Sequence, residues 1–263
     1  MRIGLVQITT GSNKLENLAH AEKAIRRAAE QGARLIVCPE ATSQAFGSGR
    51  LDEQAEDLDG EFSTGLKKLA DQLGVVIVAG MFRPADTQGK INRVFNTALI
   101  TGAGLHMGYD KIHTYDAFKY KESDTVKPGT ELVTFELDGV KIGVATCFDI
   151  RFPEQFKELA RRGAQMIVVP TSWADGPGKL DQWRILSAAR ALDSTAFVAA
   201  AGQARPGGFD NAGEESGPTG LGHSTVVTPF GNRIAEAGYE EDVIVAELDL
   251  ELVEQARESL PVL

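Results

Sequence analysis

Apolar positions along the chain follow two alternating rhythms. RIGLVQI (2–8), ARLIVCPE (33–40) and VVIVAGMF (75–82) are short, nearly unbroken apolar runs, as expected of strands buried on both faces. Between them, apolar residues recur three and four apart. Leu15, Leu18, Ile25 and Ala28 share one face of a helix from Leu15 to Gln31, and Gly32 provides its stop. Ser63 is placed to cap a second helix carrying Leu66, Leu69 and Leu73, closed by Gly74. FNTALIT followed by LHMGYDK (95–111) predicts a hairpin.

The order then repeats. KIGVAT (141–146) matches RIGLVQ, GAQMIVVPT (163–171) matches GARLIVCPE, and AFVAAAG (196–202) echoes VVIVAG. HSTVVTPFGNRIAEAG (223–238) echoes NTALITGAGLHMG (96–108), and every offset is roughly 130 residues. Any α/β chain offers loose Val/Ile matches, but four in the same order point to a pseudo-duplication. Two such halves, each a mixed sheet with helices on one face, can bury their open faces together. The expectation is an α/β fold: one domain over 1–263, built as a four-layer α-β-β-α sandwich with active groups at the strand ends where the sheets meet. The Gly-rich stretch Arg205–Gly222 has no periodicity and reads as a long mobile loop, either a lid or a surface insertion.

Charge narrows the class. A net charge of -10 with no Lys/Arg block argues against nucleic acid and against anionic membranes as partners. No apolar run reaches the length of a membrane span, and the N-terminus lacks the pattern of a signal peptide. Two cysteines, Cys38 and Cys147, are too few for a secreted disulfide scaffold, so a cytoplasmic protein with reduced thiols is expected.

The chemistry gathers around VATCFDIRFPE (144–154). A strand delivers Cys147 to its end, and a helix-like segment opens near Pro153. Backbone N–H groups beside a thiol can lower its pKa and can bind an oxyanion, so Cys147 reads as a nucleophile. The four histidines are scattered without ligand spacing, and GxSxG and P-loop motifs are absent, so neither a metal nor a cofactor is expected. Glu40 ends a buried strand, where a carboxylate is expensive unless paired or used. Lys111 lies in YDKIHTYD and Glu122 in FKYKESDTVKPG. Singly, these read equally as a capping or salt-bridged acid, a surface lysine and a loop acid, and Cys147 as an inert core residue. Together they supply a base for the thiol, a cation for the oxyanion and a second carboxylate.

In order and spacing, the PE at Glu40, DKIHTYD at Lys111 and CFDIRFPE at Cys147 resemble the nitrilase superfamily of carbon–nitrogen hydrolases across essentially the whole chain. That resemblance implies a Glu–Lys–Cys triad, with Glu40 as general base, Lys111 as oxyanion lysine, Cys147 as nucleophile and Glu122 as assisting glutamate. CFDIRFPE, GPGKLDQWRILSAARALD and GHSTVVTPFGN are similar to the Nit branch, which implies amides of 2-oxo acids, such as deaminated glutathione, as substrates. It implies at least a homodimer packed through outer helices. The N–H of Phe148 is assigned to the oxyanion. Trp173 is placed at the pocket wall or in the core, and Arg151 in an ion-pair network with Asp149 and Glu154, or else on a substrate carboxylate. His113, Tyr115 and Asp116 are expected to shape the loop bearing Lys111. Competing readings are an N-carbamoyl amine hydrolase on the same triad, a catalytically silent scaffold, and a thiol redox pair of Cys38 with Cys147.

Overall fold

A computed structural model describes residues 1–117 and 120–263. The first half runs β1 (Arg2–Gln7), α1 (Lys14–Glu30), β2 (Leu35–Val37), α2 (Leu51–Gln54), α3 (Glu61–Leu73), β3 (Val76–Gln88), β4 (Ile91–Gly102) and β5 (Leu105–Asp110). A small ribbon, β6 (Asp116–Ala117) with β7 (Tyr120–Lys121), leads to β8 (Thr134–Leu137). The second half continues with β9 (Val140–Val144), α4 (Pro153–Arg161), β10 (Met166–Thr171), α5 (Lys179–Ser194), β11 (Phe197–Gly202), β12 (Thr225–Val227) and β13 (Arg233–Glu236). β14 (Asp242–Glu247) and α6 (Glu251–Ser259) close the chain.

Local signals explain where the helices begin and end. Asn13 Oδ1 accepts from the N–H groups of Leu15 and Glu16, so α1 starts at Lys14. Its buried face carries Asn17, Ala21, Ile25 and Ala28, while Leu15 is exposed. Asn17 takes the inward place because its amide donates to the carbonyls of Gly11 and Ser43. The expected cap at Ser63 is corrected: α3 begins at Glu61, with Gly60 as its N-cap. Ser63 lies inside the first turn and donates to the Leu58 carbonyl, 2.7 Å away. Gly74, at φ 66°, ends α3 in the left-handed conformation, as its place in the sequence implied.

The duplication is plain in the strand order. One sheet runs β14-β1-β2-β3-β4-β5 and the other, read in the same sense, β8-β9-β10-β11-β12-β13. In each, three parallel strands are flanked by one antiparallel strand on one side and two on the other. The halves differ in where their first edge comes from. β8 joins β9 as a local hairpin, whereas β14 returns from the end of the chain to pair with β1.

The sheets face one another. Ile3, Leu5, Val37 and Val78 of one and Ile142, Val144, Val168 and Ala199 of the other share one buried apolar cluster. On the outer faces, Ile25 and Leu66 of α1 and α3 pack over Ile36 and Ile77, and Phe156 and Trp183 of α4 and α5 pack over Ile167 and Val198. The four-layer α-β-β-α sandwich follows from strands apolar on both sides and helices apolar on one. Among the described residues no helix is long and apolar enough to cross a membrane.

One glycine joins the fold to the site. A Cβ on Gly80 in β3 would lie 2.5 Å from the Ala41 nitrogen and 2.7 Å from the Glu40 Cα, closer than such atoms approach. Gly80→Ala therefore has to push the backbone at Glu40 away. The expected outcome is a loss of about 1–3 kcal/mol in denaturant unfolding, together with lower enzymatic activity; wild-type stability in this variant would contradict the close approach.

Candidate active site

Strand ends bring the polar groups together. Past β2 the pairing with β3 continues, because Cys38 N–H donates to the Val78 carbonyl and Gly80 N–H to the Pro39 carbonyl. Glu40 comes next, and Ala41 then turns the chain at φ 59°. Lys111 follows β5, its N–H donating to the Asn96 carbonyl at 2.8 Å. Glu122 opens a 3-10 turn, Glu122–Asp124. Cys147 opens another, Cys147–Arg151, just past β9, and adopts φ 46°, a left-handed conformation uncommon for a residue with a side chain.

Three ionisable side chains meet at the floor. Lys111 Nζ donates to Glu40 Oε1 at 3.1 Å and to Glu122 Oε2 at 2.9 Å. Glu40 is 1% exposed and the other two are 2% exposed, so these contacts stand where solvent would otherwise be. Two residues that sequence reasoning missed complete the cluster. Asn96 on β4 donates to both acids, 2.8 Å to Glu40 and 3.1 Å to Glu122. Ser172 N–H, just past β10, donates to Glu40 Oε2 at 2.8 Å. The duplication carried a signal for Ser172, since the preceding Thr171 is the counterpart of Glu40. For Asn96 the signal was only a polar residue within an apolar run.

Burial dominates the proton affinities. It pushes the Glu40 carboxyl up, against the Lys111 charge and with that of Glu122. Burial pulls the Lys111 ammonium down, but Glu122, Glu40 and Cys147 together hold it well above its ordinary value. Cys147 reverses the expectation of a lowered thiol. Burial and the Glu40 charge raise it well above 9.0, and Lys111 and the Ser172 N–H only partly oppose them.

Asp149 corrects another expectation. Among the described residues no ion pair joins Arg151 to Asp149 or Glu154. Asp149 is wholly buried and binds the loop bearing Lys111 to the turn bearing Cys147. Its Oδ2 accepts from Tyr109 OH at 2.6 Å and Thr146 N–H at 2.8 Å, and its Oδ1 accepts from His113 N–H at 3.0 Å. Arg151 instead donates to Gln182 Oε1 at 2.8 Å and lies over Trp173, its guanidinium carbon 5.2 Å from the ring centroid.

Above this floor lies a cavity with about 430 Å³ of empty space, including its open mouth. Glu40, Lys111, Glu122 and Cys147 line its base, and Phe148, Tyr115, Trp173, Arg151 and Lys179 are among its walls. The cavity thus brings together all the site residues expected from the sequence. Trp173 serves both anticipated roles, since it lines the cavity and packs against Trp183. The Arg205–Gly222 stretch is not a detached insertion. Arg205 pairs with buried Asp175 at 3.2 Å, Gly213 N–H donates to Asp175, and Ser172 Oγ donates to the Pro218 carbonyl, so Pro218 becomes part of the wall. Cys38 packs in the outer core of the first half, its thiol pushed by burial to about 12, while Cys147 belongs to a separate cluster. Both thiols are unbridged, and the redox pairing has no structural basis.

The carbon–nitrogen hydrolase family model matches residues 2–258. A hydrolase of Mycobacterium tuberculosis is 44% identical over 100% of this chain and 94% of its own. The omega-amidase of Xenopus tropicalis is 35% identical over 99% of this chain and 93% of its own. Among solved structures, yeast Nit3, a member of branch 10 of the nitrilase superfamily, superposes with a TM-score of 0.81 at 30% identity, covering 100% of this chain and 94% of that one. An amidase from Nesterenkonia gives 0.78 at 26% identity, covering 99% and 95%.

The raised thiol sets a chemical expectation. Alkylation of Cys147 by iodoacetamide, followed by mass spectrometry, should climb as pH passes above 9.0 and show no inflection near neutrality. An inflection between about pH 6 and 8 would mean that the thiolate is already present at rest.

Proposed function

The chain belongs to the carbon–nitrogen hydrolase family, as an amidase of the nitrilase superfamily's Nit-type branch, and we propose that it hydrolyses small linear amides through Glu40, Lys111 and Cys147. The observation that carries this reading is the buried Glu40–Lys111–Glu122 cluster lining one cavity with Cys147.

Burial and the Glu40 charge favour the neutral Cys147 thiol, so in this reading proton removal accompanies attack. Glu40 takes the Cys147 proton as the sulfur adds to the amide carbon. The carbonyl electron pair moves onto oxygen, which receives hydrogen bonds from Lys111 Nζ and the Phe148 N–H. That N–H opens a helical turn, where the first amides have no partner within the helix. Glu40 returns the proton to nitrogen, ammonia leaves, and a thioester remains. Water then attacks the thioester carbon, giving its proton to Glu40. Collapse of the second tetrahedral species releases the acid and restores the thiol. Glu122 holds the Lys111 ammonium in place and compensates its charge.

The favoured substrates are amides of 2-oxo acids, such as deaminated glutathione or 2-oxoglutaramate. Support comes from the omega-amidase relatives and from Arg151, a cation on the wall of the cavity. The test is ammonia release from a panel of small amides, these two included. Activity should vanish in Cys147→Ala, and kcat should fall about 10²–10³-fold in Lys111→Met, the usual cost of losing one oxyanion donor. Activity surviving in Cys147→Ala would overturn the assignment, and release of carbon dioxide with the ammonia would redirect it to carbamoyl substrates.

The same reading fixes a pH dependence. Glu40 must be ionised to accept the proton, and burial raises its pKa from 4.5. Activity is lost as pH falls through the raised value, so the acid limb of kcat/KM should lie above pH 4.5. A limb at or below that value would remove Glu40 from the role of base.

A further inference from the structure

Asn96 is bonded to every member of the charged floor. It stands on β4 within the apolar run FNTALIT and is 1% exposed. Its backbone carbonyl accepts the Lys111 N–H at 2.8 Å, which fixes where the lysine leaves β5. Its side-chain amide donates to Glu40 Oε1 at 2.8 Å and to Glu122 Oε1 at 3.1 Å. The amide can stand only one way round. Both of its N–H groups are engaged by carboxylates, and a flipped amide would set its oxygen against two anions. That orientation leaves Asn96 Oδ1 buried without a hydrogen-bond partner among the described residues, which is unfavourable. A place kept for packing alone would carry an apolar side chain, as Ala98 and Ile100 do on the same face of β4.

The donors are unevenly shared among the carboxylate oxygens. Glu122 Oε1 receives Asn96 and Lys111, and its Oε2 receives Lys111 and the Tyr115 N–H. Glu40 Oε1 likewise receives Asn96 Nδ2 and Lys111 Nζ, which fill both of its lone pairs. Glu40 Oε2 receives the Ser172 N–H at 2.8 Å. Among the described residues it is therefore the one carboxylate oxygen of the cluster with a lone pair to spare. The Cys147 thiol lies close enough to this carboxylate to be raised by its charge, and both line the base of the cavity.

We propose that Asn96 is a positioning residue: by filling Oε1 of Glu40 it makes Oε2 the oxygen that takes the Cys147 proton. This rests on the reading of Glu40 as the base. As the S–C bond to the amide carbon forms, the S–H bond breaks and the proton passes to Oε2, while Oε1 stays bound to Lys111 and Asn96. Two donors on one oxygen also hold the carboxylate against rotation and favour its ionised form. The same distribution accounts for Glu40, and not Glu122, being the acceptor, because Glu122 has donors on both lone pairs of each oxygen.

The test reads the pH dependence of kcat/KM for an amide that the wild type hydrolyses, in Asn96→Leu and Asn96→Thr. Asn96 donates to the ionised carboxylate, so its loss should raise the Glu40 pKa and move the acid limb upward. The titratable groups facing Glu40 from the neighbouring elements, Lys111, Glu122, Cys147 and Tyr120, are the same in each variant. In Asn96→Leu the limb should rise by about one pH unit, and kcat should fall about tenfold or more with KM changed less than about threefold. Asn96→Thr, whose branched side chain suits a strand, should move the limb in the same direction and serves if Asn96→Leu does not fold. Lower activity with an unmoved limb would mean a merely structural asparagine and overturns the proposal. Titration of the Glu40 carboxyl carbon by NMR in the Cys147→Ala protein, assigned with Glu40→Gln, separates this proposal from the amidase reading. A midpoint raised by the Asn96 substitutions supports the positioning role even if no amide is turned over; an unchanged midpoint refutes it even if amides are hydrolysed.

Discussion

The burial of one ammonium between two carboxylates governs how this molecule is built. Taking each of these groups out of water costs several kcal/mol, recovered only through direct, well-aligned partners. Every neighbour of the Glu40–Lys111–Glu122 cluster is accordingly committed. Asn96 spans both acids, the Ser172 and Tyr115 amides each face a carboxylate oxygen, and Gly80 lacks the side chain that would keep Glu40 at a distance. The strands bring these groups to one point, and the apolar layers behind them keep water away. Such a cluster tolerates little displacement, because loss of one partner leaves an uncompensated buried charge.

The duplicated sheets divide the labour. Glu40 and Lys111 come from the first half and its edge, Glu122 from the connection between the halves, and the thiol and the Ser172 amide from the second half. Their mutual position therefore depends on how the halves pack. Asp149 is one of the polar links between them, since its two oxygens accept from Tyr109 and His113 on one side and from Thr146 on the other. A carboxylate holding several charge-assisted hydrogen bonds is a stiff joint. It sits two residues from Cys147 and fixes the turn that carries the thiol.

The raised thiol is a consequence of the same burial. In a low-dielectric pocket the neutral form is favoured, and the Glu40 charge beside it adds to the shift.

Much of this was legible from residues close together in the chain. Strand runs, the helix stop at Gly74 and the internal repeat follow from steric and hydrogen-bonding rules acting over a few residues, so RIGLVQ and KIGVAT announced equivalent strands. The motifs around Glu40, Lys111 and Cys147 marked residues that the structure brings to one cavity. Where pattern misled, a local competitor had won: Ser63 turned its hydroxyl back to the Leu58 carbonyl ahead of the helix, and Asn17 displaced Leu15 from the inner face. The remaining features depend on residues far apart in sequence. Lys111 and Glu40 are 71 positions apart, and Ser172 and Glu40 are 132 apart. Asn96 as bridge, Asp149 as link, the strapped Arg205–Gly222 wall and the upward shift of the Cys147 thiol all follow from packing. Desolvation and Coulomb interaction act through space, and the distances they depend on exist only once the two sheets have closed on each other.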